Sequence, residues 1–244
     1  MNIILLDQSE ICDNRAVLHD RRSEHIRRVL GARVGDRLRT GIINGPRGFA
    51  TVVAIRGETV ELATSHDGPP PARPATDLLL ALPRPIMLKR VLSQAATLGV
   101  GRIFLINARR VEKSFFSASL LRKENLHQQM LLGLEQAGDT LVPDLSIHAR
   151  FRPFAEDELP GLLRDCPVRL LAHPGPYPFL PKAIDLPLLG KTVLAVGPEG
   201  GWVDFEVTTL QQAGFIPFSL GPRILRVDAA VPALLSQIDL LRQL

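Results

Sequence analysis

The stretch Thr192-Val193-Leu194-Ala195-Val196-Gly197-Pro198-Glu199-Gly200-Gly201-Trp202 decides how this chain is read. Five β-branched or apolar residues run without interruption into a loop of glycines and a proline, the pattern of a strand ending in a turn. A second stretch repeats the arrangement, with Phe215–Leu220 leading into Gly221-Pro222-Arg223-Ile224-Leu225-Arg226-Val227-Asp228. Each loop leaves the carboxyl end of an expected strand, which is where open α/β sheets bind ligands. Glycine there lets the backbone approach a flat ligand closely. Neither loop carries G-x-G-x-x-G or G-x-x-x-x-G-K-[ST], so a dinucleotide-dependent oxidoreductase and a P-loop enzyme are both disfavoured. Taken singly, each loop also suits an ordinary strand-to-helix turn.

Outward from these loops the chain alternates. Strand-like runs fall at 77–82, 102–107, 168–172, 192–196 and 215–220, and helical segments at 86–98, 120–137, 205–213 and 231–241. That alternation predicts a parallel α/β sheet. Pro232 is expected in the first turn of the last helix, where its missing N–H costs nothing. Upstream, Pro69-Pro70-Pro71 and Pro74 mark a stiff linker. It separates residues 1–70, read as a small β-barrel, from a domain over 74–244. Short β-branched runs at 3–6, 36–43, 48–55 and 59–63 support the barrel, with a hairpin turn at Asn44-Gly45. One helix is expected over 23–30, with Ser23 as its N-cap.

The formal charge is only +4, from 29 basic and 25 acidic residues. It is unevenly spread. Residues 84–123 carry Arg84, Lys89, Arg90, Arg102, Arg109, Arg110, Lys113, Arg122 and Lys123 against the single acid Glu112, and residues 15–39 carry eight arginines. Such clusters suit phosphate contacts, and Phe115 and Phe116 beside the first could stack on an unpaired base. The same pattern also suits solvated helix faces. Cys12 and Cys166 have no metal-type spacing and point to a reducing compartment without disulfides. The start MNIILLDQSE has no positive n-region, and no apolar run is long enough to span a bilayer, so a cytoplasmic protein without membrane contact is expected.

Taken together, Gly-Pro-Glu-Gly-Gly at 197–201 and Leu-Gly-Pro-Arg-Ile-Leu-Arg at 220–226 resemble the RsmE-type family of SPOUT methyltransferases. The resemblance covers essentially the whole chain. His25-Ile26-Arg27-Arg28-Val29-Leu30 with Val34-Gly35-Asp36 is similar to the family's PUA-like RNA-binding barrel. Gln94, Leu98-Gly99-Val100 and Glu135-Gln136-Ala137 match internal signatures, and His173-Pro174 resembles a third cofactor loop. The triplet Asp228-Ala229-Ala230 stands where Glu-Thr-Ala is usual. The resemblance implies a SPOUT domain with a trefoil knot, preceded by the PUA-like barrel. It also implies a homodimer without metal, and methylation of uracil N3 in small-subunit ribosomal RNA with S-adenosylmethionine as donor. It places the cofactor against Leu171, His173, Pro174, Val196, Gly197, Pro198, Glu199, Gly200, Gly201, Leu220, Gly221, Ile224, Leu225 and Arg226. Arg226 is the catalytic candidate, ahead of Arg223. Arg27, Arg28, Lys89 and Arg90 are the RNA-binding candidates. A non-catalytic RNA-binding or ribosome-assembly protein retaining the fold is the alternative.

Among single residues, Glu199 suits either a substrate or dimer contact or the cap of the helix that follows Gly201. Trp202 suits core packing behind its loop. His25 and His173 read as architecture before chemistry, and both cysteines as inert thiols.

Overall fold

The computed structural model describes all residues, 1–244, and shows two compact units. One comprises Met1–Arg73 with Leu131–Val142, the other Pro74–Met130 with Pro143–Leu244.

The first unit is a mixed six-stranded half-barrel of β1 (Ile4–Leu6), β2 (Ile11–Cys12), β3 (Arg15–Leu18), β4 (Arg37–Ile42), β5 (Arg47–Arg56) and β6 (Thr59–Ser65), in the order β1-β4-β5-β6-β3-β2. Strands β3, β5 and β6 alternate buried and exposed residues over much of their length, as a sheet with one covered face requires. Leu6, Leu18, Val52, Val60 and Leu62 meet Ile26 in its core. The Asn44-Gly45 turn joins β4 to β5, with Asn44 at φ 59°. The helix α1 (Arg21–Glu24) starts earlier than the sequence suggests and runs on as a wider turn over His25–Val29. Its N-cap is Asp20, whose carboxylate accepts from the Arg22 N–H at 2.8 Å. Ser23 is instead buried, and its hydroxyl donates to the Glu58 carbonyl. The pair β2–β3 carries no strong strand signal in the sequence.

Residues 131–142 join this unit through specific bonds. Glu135 is buried and takes both guanidinium nitrogens of Arg21, at 2.6 and 2.9 Å. Its carbonyl accepts from Asn2 N–H at 2.7 Å, and the Thr140 carbonyl accepts from Asn44 N–H at 2.8 Å. A boundary drawn only at the proline linker does not foresee this return.

The second unit is a parallel sheet of β7 (Thr76–Ala81), β8 (Val100–Ile106), β9 (Asp144–His148), β10 (Val168–Ala172), β11 (Thr192–Val196) and β12 (Ile216–Phe218), in the order β12-β10-β11-β7-β8-β9. Every neighbouring pair is parallel. The central strands β7 and β11 are buried along their whole length, because helices cover both faces of a parallel sheet. The chain steps from β7 out to β9, then crosses to β10 on the other side, so the strand order reverses beside β7. Such a reversal opens a crevice at the carboxyl ends of the strands.

The main helices are α2 (Pro85–Thr97) and α3 (Lys123–Ala137). Short turns α4 (Phe151–Pro153), α5 (Leu159–Leu162) and α6 (Leu180–Ala183) follow, then α7 (Asp204–Gln212) and α8 (Val227–Arg242). Helix α8 begins at Val227, four residues before the expected start. Pro232 therefore lies inside it and removes one ladder bond there. Val231, Leu234, Leu235, Ile238 and Leu241 bury the apolar stripe of α8 within the unit, where the helix packs on α2. No helix of the chain is long and apolar enough to cross a membrane.

Candidate functional site

Three loops leave adjacent strands of the parallel sheet and converge on one cavity of about 330 Å³, within the size range of small-molecule sites. His173 and Pro174 follow β10, Gly197–Gly201 follow β11, and Ser219–Leu225 follow β12. Parallel strands deliver the loops side by side, and backbone bonds lock them. The His173 N–H donates to the Phe218 carbonyl at 3.0 Å, and Ser219 N–H to the Pro178 carbonyl at 2.9 Å. Helix α8 closes one wall with Val227, Ala230 and Leu234, positions that share a helical face. Arg110 reaches in from the loop after β8, and its Nη1 donates to the Gly200 carbonyl.

The glycines are required by geometry at two places. A Cβ at Gly197 would lie 3.1 Å from the Trp202 ring, and Gly201 adopts φ +74°, which side-chain-bearing residues avoid. Trp202 is buried behind its loop, near Phe151 at 6.4 Å between ring centres, and its indole N–H has no partner. Nδ1 of His173 is likewise buried without a partner in the cavity lining. Burial lowers the His173 pKa; the charge of Asp204 opposes the shift and that of Arg110 adds to it. The imidazole is therefore neutral near pH 7.

Most of the cofactor-binding candidates line this cavity: His173, Pro174, the five residues of Gly197–Gly201 with Val196, and Leu220, Gly221, Ile224 and Leu225. Leu171 does not, because its side chain is fully buried within β10. Arg226 does not line it either. It is the N-cap residue of α8, its side chain 70% exposed and drawn to Asp228, with Nε to Oδ1 at 3.4 Å. Arg223, the alternative catalytic candidate, does line the cavity, as do Arg110, Ala172, Ser219, Val227, Ala230 and Leu234, which the sequence does not place against the cofactor.

Glu199 takes a role that neither sequence reading foresees. Its Oε1 accepts from the Arg84 N–H at 3.1 Å, so it caps the start of α2 and not the helix after Gly201. The carboxylate that serves α7 is Glu206, which is buried and accepts from Val203 N–H at 3.0 Å and from Arg109 N–H at 2.6 Å. Through Arg109 it also fixes the loop that carries Arg110.

The basic clusters divide into paired and unpaired charges. Arg15, Arg21, Arg22 and Arg28 hold Glu61, Glu135, Glu10 and Glu24. Arg27 has no carboxylate partner, and its Nε is buried without a hydrogen bond. In the second unit Lys89, Arg90, Ser93, Gln94 and Gln129 line a shallow depression, with Arg90 bonded to the buried Asp228 at 3.1 Å. Phe115 and Phe116 are half-buried in the short turn Lys113–Ser117. Cys12 is exposed and Cys166 buried, and both are free thiols. Burial, reinforced by Asp77 and Asp165, pushes the Cys166 thiol up to about 12, so it is inert at physiological pH.

Residues 71–239 match the model of the RNA methyltransferase domain family. The chain is 31% identical to the ribosomal RNA small subunit methyltransferase E of Treponema pallidum, over 96% of this chain and 88% of that one. It is 22% identical to ribosomal RNA small subunit methyltransferase E 1 of Borreliella burgdorferi, over 96% and 95%. In three dimensions it resembles the ribosomal RNA small subunit methyltransferase E of Neisseria gonorrhoeae, solved bound to S-adenosyl methionine. That match has a TM-score of 0.76 at 22% identity and covers 99% of this chain and 98% of that one. With a cavity of three convergent loops inside the matched region, this chain belongs to the ribosomal RNA small subunit methyltransferase E family.

Proposed function

We propose that the protein methylates small-subunit ribosomal RNA at a uridine N3, with S-adenosylmethionine as donor. One observation carries the reading: the cavity formed where the glycine loops after β10, β11 and β12 converge. Its composition fits the cofactor. Val196, Leu220, Leu225, Val227 and Leu234 give apolar walls for a purine, and the orphaned His173 Nδ1 is free to accept or donate toward it. The bound cofactor would supply a methyl group already made electrophilic by its sulfonium. The protein's own task is to orient the acceptor nitrogen in line, exclude water and ease loss of the N3 proton. The N3 anion spreads charge onto two carbonyl oxygens, and a guanidinium aimed at one of them favours it. Arg226 is the proposed donor. It stands between two cavity-lining residues, Leu225 and Val227, with most of its side chain exposed to a substrate. The ion pair with Asp228 orients the guanidinium.

Arg27, Arg28, Lys89 and Arg90 are the proposed RNA contacts. Lys89 and Arg90 sit together on α2 and line a shallow depression, and the two adjacent cations support a phosphate site. Arg28 is exposed, so its bond to Glu24 yields readily to a phosphate. Binding to single-stranded RNA should weaken with salt by a log–log slope of roughly −0.7 per phosphate contact. Alanine at Lys89 and Arg90 should flatten that slope, and an unchanged slope would remove α2 from the interface.

The knotted topology, the PUA-like character of the half-barrel and a homodimer belong to the same proposal. The return of α8 from edge strand β12 to pack on α2 supports a threaded C-terminus. The exposed Ile86, Ile224 and Leu240 support burial against a second copy, although most of the apolar stripe of α8 is covered within its own unit. The deciding assay is single-turnover transfer of labelled methyl to small-subunit RNA with the product nucleoside identified. N3-methyluridine is the expected product, and any other product refutes the assignment of the base.

A further inference from the structure

We infer that Arg110 is the specificity residue for the amino-acid end of the cofactor, its guanidinium binding the α-carboxylate at the cavity rim. The inference rests on the proposed use of S-adenosylmethionine and adds to it which residue reads the end remote from the purine.

Four observations point there. The cavity is apolar along α8 and the strand ends, where Val196, Val227 and Leu234 face it. A carboxylate placed against those walls would be desolvated without compensation, so the charged end of the ligand belongs at the polar rim. Arg110 is at that rim, exposed yet lining the cavity. Its one bonded nitrogen, Nη1, donates to the Gly200 carbonyl, and no acidic side chain pairs with it, so the other donors of the fork stay open. Other arginines of this unit are committed to the fold: Arg102 holds Asp77 and Asp165, and Arg169 is spent on the carbonyls of Leu163, Cys166 and Ala213.

The guanidinium is also held in place before any ligand arrives. Glu206 fixes the Arg109 N–H, and the bond to Gly200 fixes the far end of the side chain. A cation already ordered loses little freedom on binding, and a planar fork matches a carboxylate in two parallel bonds. Arg223, the other cationic residue in the lining, is exposed on the loop after β12 and has no comparable anchor. An added Cβ at Gly200 would lie 2.9 Å from the Arg110 Cδ, so the loop and the arginine occupy one another's space.

The test compares two ligands that differ by the carboxylate alone, S-adenosylmethionine and its decarboxylated form. Calorimetry on the wild-type chain should show the carboxylated ligand binding more tightly by roughly tenfold or more, the scale of a charge-assisted pair. Arg110→Met should bring the two affinities within about threefold by weakening only the carboxylated ligand, and Arg110→Lys should keep part of the difference. Equal affinity in the wild type overturns the inference while leaving the cofactor assignment intact. Equal weakening of both ligands in Arg110→Met overturns it in favour of a purely structural arginine, as does loss of the preference in Arg223→Met instead. A wild-type chain that binds neither ligand refutes the proposed cofactor itself.

Discussion

The two ends of the parallel sheet are built on opposite principles. At the amino ends of its strands, charge is buried and matched. Asp77 is completely buried near the start of β7 and accepts from Arg102 Nε at 2.8 Å and Arg102 N–H at 2.9 Å, with Lys191 at 3.3 Å. Asp165 completes the cluster, bonded to Lys191 at 2.8 Å and Arg102 at 2.9 Å. At the carboxyl ends the pattern reverses. Glycines replace side chains, His173 Nδ1 and Trp202 Nε1 are buried with no partner, and Arg110 and Arg223 carry no counter-charge. Buried polar groups left unpaired are costly, and of these two His173 lines the cavity, where a ligand can satisfy it. The closed end holds the strands in register, and the open end is where the proposed chemistry belongs.

The comparison breaks most sharply at Asp77. Asp77→Ala should strand two cations around a buried gap and cost about 3–5 kcal/mol, the scale of removing one partner of a buried pair. Urea unfolding measures that loss, and cofactor affinity of the folded protein should stay within a few-fold. At the open end the effects should fall on function. Arg226→Ala should lower single-turnover methylation on the order of 10²-fold, near the loss of one oxyanion donor, with cofactor affinity and the urea midpoint little changed. A wild-type rate in that variant would make the Arg226–Asp228 pair merely structural. Gly200→Val should weaken S-adenosylmethionine by about tenfold or more, or about 1.4 kcal/mol, because the new side chain meets Arg110. Wild-type affinity there would remove the loop after β11 from the binding site.

The smallest effect is a pH dependence confined to the closed end. The Lys191 hydrogen bond, joined after an opposing desolvation by that of Arg102, brings the Asp165 pKa down to about 2. The folded pKa lies below that of the unfolded chain. The associated stability is therefore present above the ordinary aspartate range and is lost as pH falls from about 4 toward 2. Asp165 is largely solvent-exposed, so screening leaves well under 1 kcal/mol. Asp165→Asn should flatten the acid limb of the unfolding curve slightly, and an unaltered limb would show the pair to be energetically silent.

Much of this architecture is legible in the sequence because it is local. Val168–Ala172 and Thr192–Val196 are strands with the bounds their β-branched runs suggest, and the Gly-Pro motifs mark the loops that follow. Position in the chain does not reveal partners distant along it. Eight arginines over residues 15–39 read as one basic cluster, yet four of them are neutralised by glutamates, one of which lies at position 135. Helix α8 begins a turn early because the packing of Val227 and Asp228 outweighs the preference of Pro232 for a first turn.

The sequence by itself determined the alternation of strand and helix, the glycine loops at strand ends and the family they belong to. Those depend on residue type and short spacing, which a linear pattern preserves. Only the tertiary structure decided that residues 131–142 pack with the first unit and that Glu199 caps α2. It alone set Arg110 over the glycine loop and turned Arg226 toward Asp228. Each of these is a choice among several chemically equivalent partners, made by which side chains the folded backbone brings within bonding distance.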